Sequence, residues 1–215
     1  LRTPGTLQTR SMGGVGVGMR NAAAVNLLNP AAYSAVRPKS FLFDFGLEGQ
    51  CFYNSQKYYG QTLNTSYYTV NFHDIAFQLP IAKHLGLGFS LTPYSSVGYR
   101  MKQEVDDDEI WGNIGRVQYQ WDGDGDVTEV KLGLGWEIFR GFSIGIAAQY
   151  YWGDIQRIYK TAILENITGG GLIADATGTE TYSVSRFKGQ FGVQWSPISN
   201  RRRILTIGAT YDIGG

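Results

Sequence analysis

The alternation that begins at Phe41 constrains this chain more than any other feature, because a period of two puts apolar side chains on one face of a strand and polar ones on the other. Phe41, Phe43, Phe45 and Leu47 share one side, while Leu42, Asp44, Gly46, Glu48 and Gln50 share the opposite side. The same pattern returns later. Val130, Leu132, Leu134, Trp136 and Ile138 oppose Glu129, Lys131, Gly133, Gly135 and Glu137. Phe142, Ile144, Ile146, Ala148, Tyr150 and Trp152 oppose Ser143, Gly145, Ala147, Gln149 and Tyr151. Phe187, Phe191, Val193 and Trp195 oppose Arg186, Lys188, Gln190 and Gln194, and Leu205, Ile207, Ala209, Tyr211 and Ile213 oppose Thr206, Gly208, Thr210 and Asp212. With two further strands between residues 66 and 100, about seven are expected.

The connections discriminate between the folds that such strands can build. Residues 80–84, 139–141 and 197–203 read as tight turns, whereas 53–65, 101–126 and 154–181 read as long polar loops. Short turns at one end and long loops at the other characterise an antiparallel transmembrane β-barrel of the outer membrane, and most runs exceed the roughly 9–11 residues that a tilted strand needs to cross. A soluble β-sandwich also alternates, but turns its apolar face inward. Against it stand the length of the strands, the segregation of loop lengths, and the aromatics Tyr53, Tyr67, Tyr68, Tyr99, Tyr150, Trp152 and Tyr182 gathered toward the long-loop ends. The barrel reading turns the polar face, with Asp44, Glu48, Glu129, Lys131, Glu137, Arg186 and Lys188, toward the lumen.

Composition removes competing classes. Charged residues are 17% of the chain against about 25% in ordinary soluble domains. Gly supplies 29 of 215 residues, aromatics 14%, and Pro only 6, which suits glycine-bearing strands and not helices, collagen or disorder. A net charge of +1 gives nucleic acid no electrostatic handle. One cysteine, Cys51, and two histidines, His73 and His84, give no disulfide framework and no zinc site, so neither a metal nor a cofactor is expected. The chain starts at Leu1 with no basic and apolar leader, and no apolar run reaches the length of a transmembrane helix.

Residues 1–38 differ from the rest. They carry Gly13, Gly14, Gly16 and Gly18, a predicted helical turn or two over residues 21–28, and a stop at Pro30 within Asn29-Pro30-Ala31. A Gly-rich plug ending in Asn-Pro-Ala directly before the first strand resembles the hatch of the FadL family, long-chain fatty-acid transporters of the Gram-negative outer membrane. The resemblance implies a hatch over residues 1–38, a barrel over 39–215, and passive transport of a hydrophobic small molecule or lipid. Seven strands are half of that family's fourteen, so the remainder is expected in missing sequence or on a partner chain. The alternative is an accessory barrel subunit of a secretion or surface-assembly complex.

The apolar phase shifts between Phe72 and Ile75, so one residue is inserted at His73-Asp74 and a bulge is expected there. Pro93 cannot donate to a ladder and marks a break in the next strand, beside Tyr94. The FadL resemblance implies a lateral exit to the membrane at these four residues; an ordinary bulge is the plainer account. Asp122, Asp124, Asp126 and Glu129 are spaced like a calcium loop, but Val127 stands where the glycine is needed, so a solvated loop is expected. The run Asp106 to Glu109 reads as an outer loop with a minor option of bridging to lipopolysaccharide, and Arg201-Arg202-Arg203 as a turn near anionic headgroups. His73-Asp74 has no nucleophile elbow, so no enzyme is expected.

Overall fold

The computed structural model describes residues 5–58, 61–105, 116–165, 176–200 and 203–214. Seven strands form one antiparallel sheet in chain order: β1 Leu42–Tyr58, β2 Gln61–Ala82, β3 Leu85–Glu104, β4 Arg116–Phe139, β5 Phe142–Glu165, β6 Ala176–Ser199 and β7 Ile204–Ile213. Among the described residues, helix is confined to α1, Leu7–Ser11, and a 3-10 helix, Pro30–Ala35. No helix among the described residues is long and apolar enough to cross a membrane. Two compact units are distinguished: residues 3–93, 129–150 and 187–215 make the larger, and residues 94–128 and 151–186 the smaller.

The short turns fall where alternation stops. Lys83 and His84 join β2 to β3, with His84 at φ 68°, and Arg140 and Gly141 join β4 to β5, with Gly141 at φ 85°. Only a residue tolerating the left-handed region closes so tight a connection without strain, which is the reason for glycine at 141.

The predicted long loops are instead mostly strand. β1 runs to Tyr58 and β2 starts at Gln61, while residues 101–104, 116–126, 154–165 and 176–181 are paired backbone. Most of these stretches lack a sustained apolar face, and the alternation of Val117, Tyr119 and Trp121 is cut short by Asp122-Gly123-Asp124-Gly125-Asp126, which reads as a loop. The acidic run at 106–109 and Arg201-Arg202 lie outside the described residues.

In the larger unit the sheet is inverted relative to a soluble domain. Phe43 is 60% exposed and Ile146 54%, with Leu47, Leu132, Trp136, Phe187, Phe191, Trp195, Ile207 and Tyr211 likewise exposed. Gln78, Ser90, Lys131, Ser143, Gln190 and Gln194 on the opposite face are buried. The expected orientation of the apolar faces therefore stands, and they do not converge on a core. The apolar core is small: Val25, Leu27 and Ala76, with Leu42 packed against them.

Residues 5–41 cover the polar face. Pro30 begins the 3-10 helix and does not end one, since proline's fixed φ and missing N–H suit the first helical position. Residues 21–28 contain no helix. The inward glycines make room for this segment: a Cβ at Gly135 or Gly145 would overlap the backbone of Pro30, and one at Gly88 or Gly133 the ring of Tyr33.

Candidate functional site

The best-defined polar constellation is the seam between residues 5–41 and the inner face of the sheet. Asn29 caps the 3-10 helix by accepting from the Ala31 N–H at 3.0 Å. Its amide donates to the carbonyls of Val17 at 2.8 Å and Val193 at 3.1 Å, fastening the helix start to β6. Gln194, fully buried, donates to the Val17 and Met19 carbonyls at 2.9 and 3.1 Å. Gln78 donates to the Asn26 carbonyl at 3.1 Å, and Asn26 in turn to the carbonyls of Gly16 and Met19. Irregular backbone cannot satisfy its own carbonyls, so the sheet's amide side chains supply the missing donors. Tyr33 is buried beneath the inward glycines, and burial, aided by Glu129, raises its hydroxyl above the ordinary tyrosine value.

The charged residues expected to line a lumen divide by their partners. Glu48 pairs with Arg10 at 3.0 Å, a bond that raises the pKa of that guanidinium. Lys131 is buried, donating to the Leu27 carbonyl at 2.7 Å and to Gln190. Glu137 faces Arg20 at 3.6 Å and His84 at 3.1 Å, and accepts from the Gly141 N–H at 3.0 Å. Arg20 also donates to Ser34 at 3.0 Å and Ser143 at 2.6 Å; its burial lowers its pKa, with Glu137 opposing. Asp44, Glu129 and Lys188 are half-buried, and Arg186 is exposed. Glu48, Lys131 and Glu137 thus hold the N-terminal segment or its neighbours in place; sequence patterning put Gln194 on this face without a role and missed Gln78 and Arg20. Inward amides between outward aromatics were the available signal.

The bulge at the expected position is present. Gly46 pairs with Asp74 and Leu47 with Phe72, leaving His73 as the inserted residue. Two neighbours on a regular strand point to opposite faces, but the bulge turns both inward: His73 and Asp74 are buried, with Nδ1 of the imidazole against Oδ1 of the carboxylate. Pro93 does not interrupt β3 itself, but the β2–β3 ladder stops short of it, at Leu91 opposite Ile75. β3 passes through it and Tyr94 without interruption, and β2 pairs with β3 from Ile75↔Leu91 to Ala82↔Leu85. A proline whose missing N–H lies beyond this ladder removes none of its bonds.

Asp122, Asp124 and Asp126 lie on β4, not in a loop. Asp122 pairs with Arg100 at 3.0 Å and accepts from Gln120 at 2.6 Å. No group of three or more metal-ligating side chains occurs among the described residues.

The family model for BamG matches residues 1–214. The chain belongs to the BamG family. No curated protein and no solved structure matches it. This finding overturns the FadL resemblance, and with it fatty-acid transport and the hatch as a transport element. The motif that suggested FadL has a local reason. Asn29-Pro30-Ala31 is a helix cap with proline at the first turn, and Gly16 and Gly18 are inserted where a Cβ would crowd Leu28 or the Thr206 carbonyl. Such constraints serve any segment docked on a sheet, whatever the protein does. Gly13 and Gly14 hold positive φ, at 79° and 80°, just after α1.

Proposed function

We infer that this BamG-family chain is an accessory subunit of the BAM complex, the machinery that assembles outer-membrane proteins in Gram-negative bacteria. In this reading its strands belong to a β-barrel wall in the outer membrane, with the apolar face against lipid and residues 5–41 as a fixed brace on the polar face. The family match supports membership in the complex. The observation that carries the membrane part is the inversion of the sheet: bulky apolar side chains are exposed while glutamines and Lys131 are buried. In water that arrangement exposes a large apolar surface and buries polar groups, both unfavourable; in a bilayer the apolar face is solvated by lipid, and the inward amides of Gln78 and Gln194 donate to carbonyls of the brace.

An accessory role fits the bonding of the polar face. A substrate path needs groups free to exchange partners, whereas Gln78, Lys131, Gln194 and Arg20 are committed to the segment they hold. The test is native purification from outer membranes in mild detergent with a tag placed in the β1–β2 connection. The integral barrel subunit of the assembly machinery should co-purify at comparable amount, and depletion of the chain should lower the levels of folded outer-membrane proteins. Recovery of the chain alone, with those levels unchanged, would refute the proposal.

A further inference from the structure

Within the larger unit, the short connections enclose a cleft of about 850 Å³. Its walls are the exit of the 3-10 helix through Val36 and Pro38 and the connections at Lys83-His84, Arg140-Gly141 and Ser199-Asn200. Glu137 is the single carboxylate among its described lining residues, and it is already engaged by Arg20, His84 and the Gly141 N–H. That leaves Arg37, Lys83 and Arg140, all exposed, with no carboxylate of the described lining to balance them. Cations around a concavity reinforce one another, because low-dielectric walls focus their field into it. The rest of the lining is mixed, with Val36, Pro38, Leu85 and Ile204 beside Ser196, Ser199, Asn200 and Thr206.

Resting on the reading of the chain as a subunit of a complex, we propose that this cleft docks an acidic peptide segment of a partner subunit, with its carboxylates on Arg37, Lys83 and Arg140. Three cations around a concavity that also offers apolar, hydroxyl and amide side chains match an acidic peptide, whose carboxylates meet the charges and whose backbone and small side chains meet the rest. An anionic lipid headgroup matches the charge alone and needs no concavity. Glu137 sets the depth of entry: with Arg20 it forms a neutralised floor, so a ligand carboxylate gains most at the opening, where the cations are uncompensated.

The test uses the chain in its native membrane complex, with a photo-crosslinking residue at the cleft, Asn200→benzoylphenylalanine, and the crosslinked peptides are sequenced by mass spectrometry. The expected product is a segment of another subunit holding several Asp or Glu within a few residues. Its yield should fall about tenfold in a background of Arg37→Glu, Lys83→Glu and Arg140→Glu, since reversal replaces attraction with repulsion. Should that triple variant fail to insert, Lys83→Glu alone, on an exposed turn, gives the same reading at smaller amplitude. Crosslinks to lipid, to a second copy of this chain or to a segment without acidic residues would overturn the inference, as would a yield unmoved by charge reversal. Absence of the assembly machinery from the purified wild-type sample would instead sink the proposed function itself.

Discussion

β5 contributes to both units, and its two parts differ in what they bury. From Ser143 to Tyr151 every second side chain is buried; from Trp152 to Ile163 the residues are exposed or half-buried on either face. The backbone is paired strand throughout, so pairing alone does not make an interior. In the larger unit the inner positions are buried because residues 5–41 supply backbone and Tyr33 to fill and bond them. Among the described residues the smaller unit buries the side chains of Val117, Asp122, Val127 and Tyr151, and its contacts include exposed pairs such as Arg157 over Tyr182. Charge separates them too: residues 94–128 and 151–186 hold six basic against twelve acidic residues, and the rest of the chain thirteen against six. An extended, acidic, exposed sheet and a braced, basic, inverted one are therefore made from the same strands.

The largest expected effect tests the inversion itself. Leu134→Arg places a charge on the exposed apolar face of β4 and should cost about 2–4 kcal/mol in lipid vesicles if that face meets the bilayer near its middle. Ser183→Arg, exposed on β6 within the smaller unit, should leave the unfolding midpoint unchanged. Equal effects of the two, measured by urea titration in vesicles, would abolish the distinction between the units.

Next is the brace. Gly135→Val drives a side chain into the backbone of Pro30 and Ser34 and should cost about 1–3 kcal/mol, with residues 5–41 becoming protease-sensitive while the strands stay paired. Gly178→Val, with nothing near its missing Cβ, should do neither. Stability equally indifferent to both would mean that the N-terminal segment rests on the sheet without supporting it. Asn29→Ala removes the cap and two docking bonds together and should cost about 0.5–2 kcal/mol, while Asn29→Ser, which retains a cap, should recover part of it.

What could be read from the sequence follows the same division. Alternation located β1, β4, β5, β6 and β7 and their exposed faces, since outward Phe, Trp and Ile against inward Gly, Gln and Lys leave a strong period. It failed at 116–126, where the alternation of Val117, Tyr119 and Trp121 gives way to an Asp-Gly run, and at 154–165, where both faces are mixed and a paired strand resembles a loop. The bulge was legible because an inserted residue shifts the phase, but its consequence, His73 and Asp74 buried side by side, depends on three-dimensional geometry that no pattern encodes. Asn29-Pro30-Ala31 was legible as important and misleading as to kinship, for its cap and proline answer a local need shared by unrelated chains.

The smallest effect belongs to the smaller unit and sharpens the contrast from its side. Arg100 and Asp122 are 3.0 Å apart, but the guanidinium side chain is 71% exposed, so water competes for both charges and ordering the long side chain opposes the gain. Asp122 already accepts from Gln120 at 2.6 Å, so removing the arginine does not strand its carboxylate. Arg100→Ala should therefore leave the unfolding midpoint within error at moderate salt. The buried counterpart behaves oppositely: Lys131→Met removes the donor to the Leu27 carbonyl at 2.7 Å and to Gln190, leaving buried acceptors unmet at about 1–3 kcal/mol. Raising the salt should not change the Lys131 result, since screening reaches exposed charges far more than buried bonds. A salt-sensitive loss at Arg100 as large as that at Lys131 would show that the smaller unit has an interior of its own, and the two parts of β5 would then differ in composition alone.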